Sequence, residues 1–146
     1  KALRQLALKA PLLSSAEDLV VLREAGGVLG NQFFFVATPA QLFESLAADS
    51  VERKSVAQFM SLWRAQHGDR DASWGGRGWD ALHLVADAVK RAGGTDGAKV
   101  RDMIEATSGL RGTSAEYTYS ADNHYGVRKN PWYLAQAING QIKLAE

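Results

Sequence analysis

Any chemistry here must come from a short stock of groups. Three histidines are present, His67, His83 and His124, and none lies three or four residues from another. That spacing excludes a helical metal pair. Cysteine is absent, which removes disulfides, thiolate catalysis and zinc held by sulfur. Hydrolysis by serine needs an exposed hydroxyl on a tight turn, usually within Gly-x-Ser-x-Gly. That motif does not occur, and Ser108-Gly109 and Ser73-Trp74-Gly75 read only as loop chemistry. The close carboxylates Asp69 and Asp71, and Glu17 and Asp18, lie in polar stretches with no apolar setting to raise a pKa. The residues therefore predict no catalytic group, no metal site and no cofactor.

One motif needs separate treatment. Gly76-Arg77-Gly78-Trp79-Asp80-Ala81 has the form Gly-x-Gly-x-x-Ala. A dinucleotide fingerprint needs a strand immediately before it and an acid about 20 residues after it. The preceding Asp69-Arg70-Asp71-Ala72-Ser73 is no strand, and Arg77 and Trp79 are too bulky for close approach to a pyrophosphate. What survives is a glycine-rich lead-in to a helix, whose backbone N–H groups suit a carboxylate or another anion. Arg77 adds a bidentate donor, and Trp74 and Trp79 add aromatic faces. The alternative stands level with it: the glycines only shape a loop, Trp79 is core and Arg77 is solvated.

The elements that must position these groups follow from periodicity. Leu3, Leu6 and Leu8 read as the end of an amphipathic helix over 2–7, stopped by Pro11, with Leu12-Leu13 opening a short strand. Ser15 is the expected cap of a helix over 16–25, closed by Gly26-Gly27. The continuous run from Phe33 to Ala37 predicts a strand buried on both faces. Asp49 is the expected cap of the next helix, with Glu52 at the capping-box position and Val56, Phe59, Met60 and Trp63 as its apolar stripe. That helix ends at His67-Gly68, and 69–73 is a polar link and candidate domain crossing.

A further helix is expected from Gly78 to Arg91, with Asp80 in its first turn and Trp79, Leu82, Val85, Ala86 and Val89 buried. Thr95 or Asp96 starts another, with Val100, Met103 and Ile104 inward and Gly109 closing it. The period then changes to two over Glu116–Ser120, and Trp132 to Ile138 reads as a strand. Asn139-Gly140 is the preferred two-residue hairpin turn, returning through 141–145. The class is α/β.

Composition bounds the function. The chain has 146 residues, enough for a real core, with 46% apolar and 23% charged residues. A net charge of +1 gives no electrostatic case for nucleic acid or an anionic membrane. No apolar run approaches the roughly 18–20 residues that span a bilayer. Lys1 already sits in a helical pattern with no initiator Met, signal peptide or cap, so a truncated or processed chain is expected.

Three segments taken together carry a resemblance. The first is Ala25-Gly26, then Gly30-Asn31, the Phe33–Ala37 run and Thr38-Pro39. The second is Gly78-Trp79-Asp80-Ala81-Leu82, leading to Ala92-Gly93-Gly94 and 100–105. The third is Gly109-Leu110-Arg111-Gly112-Thr113, then 117–120, Asp122-Asn123-His124-Tyr125-Gly126 and the closing Asn139-Gly140-Gln141. In order and spacing they resemble the C-terminal portion of type I periplasmic solute-binding proteins of ABC transporters, the leucine/isoleucine/valine-binding family.

The resemblance implies a two-lobed, Venus-flytrap fold of parallel sheets flanked by helices, with ligand held between the lobes. On that pattern 1–70 belongs to the second, C-terminal lobe, 71–120 to the first, N-terminal lobe, and 121–146 returns to the second. Neither lobe is then complete. Completion by the missing half, by a second copy or by exchanged elements is expected, with open sheet edges as its sign. Ligand contacts carried over are Asn31 and Gln32 in the turn that opens with Gly30, and Trp74, Arg77 and Gly78 in the lead-in to the Asp-Ala helix. Gly30 and Asn31 stand where many amino-acid binders carry an acid, and 122–126 looks like relatives that take aromatic acids. An amino acid or an aromatic or organic carboxylate is the implied ligand, a membrane permease the partner and the periplasm the location. A ligand-sensing regulator or receptor of the same fold is one alternative. A small α/β hydrolase, with His83 or His124 as base, is another.

Overall fold

The computed structural model describes Gln5, residues 9–15 and residues 18–145. The expected helix over 2–7, apart from Gln5, and residues 16 and 17 lie outside the described residues. Strand β1 (Leu12–Ser14) leads to helix α1 (Leu19–Leu29), a 3-10 turn (Gly30–Gln32) and β2 (Phe33–Ala37). Helices α2 (Val51–His67), α3 (Ser73–Ala92) and α4 (Gly97–Glu105) follow. The chain ends with the short pair β3 (Leu110–Arg111) and β4 (Glu116–Tyr117), then β5 (Tyr133–Ile138) and β6 (Gln141–Leu144).

The sheet runs β1-β2-β5-β6. β1 and β2 pair in parallel, joined through α1, while β5 and β6 add antiparallel strands as the expected hairpin. Its turn takes the left-handed conformation at Asn139 (φ 51°) and Gly140 (φ 75°), as a primed turn requires. Phe33, Phe35 and Ala37 point to one face and pack with Leu22, Leu42, Leu46, Ala135, Ala137 and Ile142 into the main core. Full burial of a side chain such as Phe35 stabilises by about 1.5–3 kcal/mol. The opposite face is only partly covered: Phe34 and Val36 are half-buried, and their cross-strand partners Leu13 and Leu134 are 70% and 48% exposed. Strand β1 is an open edge, since among the described residues nothing pairs with its outer side.

A second core joins Ala40, Val56, Phe59, Met60 and Ala72, with Phe43, Trp63 and Trp79 packed against it. The expected stripe of α2 is therefore the one that packs. The Arg53 guanidinium donates to the carbonyls of Phe43 (2.6 Å) and Leu46 (3.0 Å), tying α2 to the segment that follows β2.

Several boundaries differ from the sequence reading for identifiable reasons. Asp18, not Ser15, caps α1 by accepting from Val20 N–H at 2.8 Å. The helix continues through Gly26-Gly27 to Leu29 because Gly26 is a packing residue: a Cβ there would lie 2.5 Å from the Ala137 Cβ. Ser50, not Asp49, caps α2, accepting from Arg53 N–H at 3.2 Å. Helix α3 starts at Ser73 rather than Gly78. Its packed side is Gly76, Asp80 and Ala88, whereas Leu82 (72% exposed) and Val85 (46%) face solvent. β4 stops at Tyr117, because Thr118 and Tyr119 N–H turn to the carbonyls of Gly126 and Thr107 instead of a continuing ladder.

Candidate functional site

In open α/β sheets, ligands settle outside the carboxyl ends of the parallel strands. Here that end is built from Ser14 onward after β1 and from Thr38 onward after β2. The start of α3 is fastened to it by Asp71. One carboxylate oxygen accepts from Leu19 N–H, the first residue of α1, at 3.1 Å, and the other accepts from the Ser73 N–H at 2.9 Å and from the Ser73 hydroxyl. Just beyond, the Arg77 guanidinium lies 4.5 Å over the Trp74 ring, an exposed cation–π pair one turn apart.

On the β5 side of the same end lies a cleft of about 380 Å³. Pro39 and Tyr133 form its floor, and Val51, Glu52 and Ser55 of the first turns of α2 form one wall. Arg111, Gly112, Ser114, Ala115, Glu116 and Thr118 of the β3–β4 hairpin form the opposite wall, and Arg128, Lys129, Asn130 and Pro131 close the rim. Arg111 and Glu116 pair at 2.8 Å while partly exposed, so the pair is weak and can reorganise. No carboxylate pairs with Arg128 or Lys129 among the described residues. Burial first, and then the charge of Glu52, push the Tyr133 phenol above its ordinary value. The cleft thus offers cations, carboxylates and hydroxyls together, which suits a small solute carrying a carboxylate, with or without an ammonium.

The structure divides the sequence-predicted contacts into two sets. Trp74, Arg77 and Gly78 sit near the start of α3, at the carboxyl end of the sheet. Gly78 and its neighbours are inside the helix, and the Gly76 N–H is already bonded to the Ala72 carbonyl at 2.9 Å, so the glycines do not form an open amide-lined loop. Asn31 and Gln32 precede β2, at its amino end, where the Asn31 carbonyl accepts from Gln136 at 3.0 Å. The length of β2, five residues or about 16 Å at roughly 3.3 Å per residue, separates them from the other set. None of these residues lines the cleft. The cleft residues themselves carried no local signal, since Glu52, Arg111 and Arg128 come from segments far apart in the chain.

Histidine chemistry finds no support in the geometry. His67 packs tilted against the Trp63 ring and His83 against that of Trp79, His83 Nδ1 meets the Trp79 carbonyl at 3.0 Å, and His124 pairs with Glu105 at 3.2 Å. Among the described residues, no cluster of His, Asp and Glu could hold a metal, and no helix is long and apolar enough to cross a membrane.

Comparison with known proteins agrees with this fold. A profile of the family described as periplasmic binding protein matches residues 6–141. No curated protein matches the chain. Among solved structures, an extracellular ligand-binding receptor from Rhodopseudomonas palustris HaA2 superposes with a TM-score of 0.79 at 24% identity, covering 99% of this chain and 42% of that one. A type 1 periplasmic binding protein from Bordetella pertussis Tohama I gives 0.69 at 20% identity, covering 98% and 41%. The branched-chain amino acid transporter substrate-binding protein LivJ from Streptococcus pneumoniae, solved with isoleucine, gives 0.69 at 16% identity, covering 97% and 39%. The chain spans about two fifths of the length of these relatives. It therefore matches a portion of the two-lobed type I fold, and the chain belongs to the periplasmic binding protein family.

Proposed function

We propose that this chain is part of the extracytoplasmic solute-binding component of an ABC importer, capturing a small organic or amino acid without catalysis. In this reading 1–70 and 121–146 belong to the second lobe and 71–120 to the first. The observation that carries it is the composition of the 380 Å³ cleft: Glu52, Glu116 and Arg128, one from each of those three segments, all line it. A cleft walled by both lobes changes shape when they move, and a ligand shifts that equilibrium through its better contacts in the closed state. A membrane permease would read the closed form.

The ligand would lie on the carboxyl end of the sheet. Arg111, Arg128 and Lys129 would meet its carboxylate, Glu52 or Glu116 an ammonium where one is present. Trp74 and Arg77, with Gly78 giving close access, would border the same end from the α3 side, and the aromatic face favours a planar acid. Asn31 and Gln32, at the far end of β2, fall outside the site proposed.

A thermal-shift screen of the full-length protein against amino acids and aromatic and aliphatic carboxylates tests this. A binder at 100 times its Kd stabilises by about 2.7 kcal/mol, a plain shift in Tm. Failure of every such solute at millimolar concentration would count against the reading.

A further inference from the structure

Among the described residues the most enclosed charge is Asp80, two turns into α3 and 5% exposed. No arginine, lysine or histidine pairs with it among the described residues. Its carboxylate instead collects donors from one short stretch more than 30 residues away. Thr113 N–H donates to Oδ1 at 2.6 Å, and Ser114 N–H and the Tyr117 hydroxyl each donate to Oδ2 at 3.0 Å. A buried carboxylate is tolerated only when such bonds replace its water, and bonds to an ionised acceptor are the strong kind.

Packing seals the junction. A Cβ on Gly112 would fall 2.5 Å from the Asp80 carboxyl carbon, and one on Gly76 would fall 2.6 Å from the Thr113 hydroxyl oxygen. Thr113 is fully buried, and the Gly112 N–H closes the turn on the Ala115 carbonyl at 2.8 Å. The hold extends further through Tyr117, which bridges Val127, while Thr118 N–H donates to the Gly126 carbonyl at 2.7 Å. Both the hairpin wall of the cleft and the irregular segment that leads into its Arg128–Lys129 rim are thereby tied to one carboxylate.

We infer that Asp80 is the positioning residue of the cleft, holding Arg111 and Glu116 on one wall and Arg128 at the rim in a fixed relation to α3. The inference rests on the proposed role of that cleft as the ligand seat. The charge is the working part: Asp80→Asn keeps the size but turns an NH2 group toward groups that are themselves donors. Burial first, and then the Asp80 charge, also hold the Tyr117 phenol well above its ordinary pKa, which gives a second readout of the same contact.

The experiment is residue-resolved hydrogen exchange on the full-length protein, with Asp80→Asn and the milder Tyr117→Phe beside wild type. In Asp80→Asn, exchange at the Thr113 and Ser114 amides and across 127–130 should rise by about tenfold or more, with the β2 amides unchanged. Tyr117→Phe should loosen 127–130 and leave Thr113 and Ser114 protected. Unchanged exchange at 112–117 in Asp80→Asn would overturn the inference, and so would an equal rise through β2, which marks general destabilisation. Affinity is read in parallel with L-isoleucine and benzoate as probes. An affinity loss of about tenfold in Asp80→Asn supports positioning, and undiminished affinity overturns it. If neither probe binds wild type, the ligand reading suffers while the exchange pattern still decides the clamp.

Discussion

The sheet and α3 treat apolar surface in opposite ways. In the sheet, one of the two faces expected to be buried is so: Phe33, Phe35 and Ala37 meet Leu22 of α1 and Ala135 and Ala137 of β5, while Phe34 and Val36 on the other face are half-buried. In α3, the packed residues are Gly76, Asp80 and Ala88, with Trp79 of the expected stripe against the second core, while Leu82, Val85 and Ala86 of that stripe, and Trp74 before it, lie in solvent. The lesson is that helical periodicity identifies the face that requires a partner, and the fold decides whether that partner lies in the same stretch of chain. The close contacts of α3 inside this chain are made by Gly75, Gly76, Trp79 and one carboxylate.

That contrast can be broken at either end. The largest effect is expected in the sheet core, where Phe35→Ala should cost about 3–5 kcal/mol in chemical denaturation of the full-length protein. A loss under ~1 kcal/mol would mean that the sheet core is not as packed as described. Next is Leu82→Ala on α3. If its outer face stays solvated in the working protein, stability changes by no more than about 0.5 kcal/mol. The two-lobed reading instead requires that face to be covered, with a loss of about 2–5 kcal/mol by the same assay.

A smaller effect sharpens the sheet side. Gly26→Val would push a branched side chain into Ala137 and should lower stability by about 1–3 kcal/mol, visible as a reduced Tm. The smallest belongs to the surface. Bonding to Arg64 first, and its charge together with that of Arg53, hold the Glu44 carboxyl below its ordinary range. A depressed folded pKa contributes stability above the ordinary carboxylate value, and that contribution is lost as pH falls through the folded one. Because the group is largely exposed, Glu44→Gln should cost under about 1 kcal/mol at neutral pH and nothing in strong acid. Equal cost at both pH values would remove the ion pair from the account.

How much was legible follows the same division. The Phe33–Ala37 strand, the α2 stripe from Val56 to Trp63 and the Asn139-Gly140 turn are local signals, and each lies where its pattern predicts. The start of α3 was hidden because Ser73-Trp74-Gly75-Gly76 reads as a loop. Its glycines serve contact instead, since a Cβ on Gly75 would strike the Trp63 ring at 2.2 Å. Asp80 reads as a helix-dipole acid, and only the fold brings Thr113, Ser114 and Tyr117 to it. The cleft was illegible for the same reason, being assembled from α2, the β3–β4 hairpin and the segment before β5. Trp74 and Arg77, picked out by residue type, pair with each other near the start of α3, and Asn31 and Gln32 lie in the 3-10 turn before β2.

The central claim is that this cleft seats a small acid. Calorimetric titration of the full-length protein with its best-stabilising carboxylate, before and after Arg128→Ala, tests it most directly. Loss of a bond from a charged donor predicts an affinity weakened by about tenfold with Tm of the unliganded protein unchanged. Equal affinity in the variant and wild type would contradict the account.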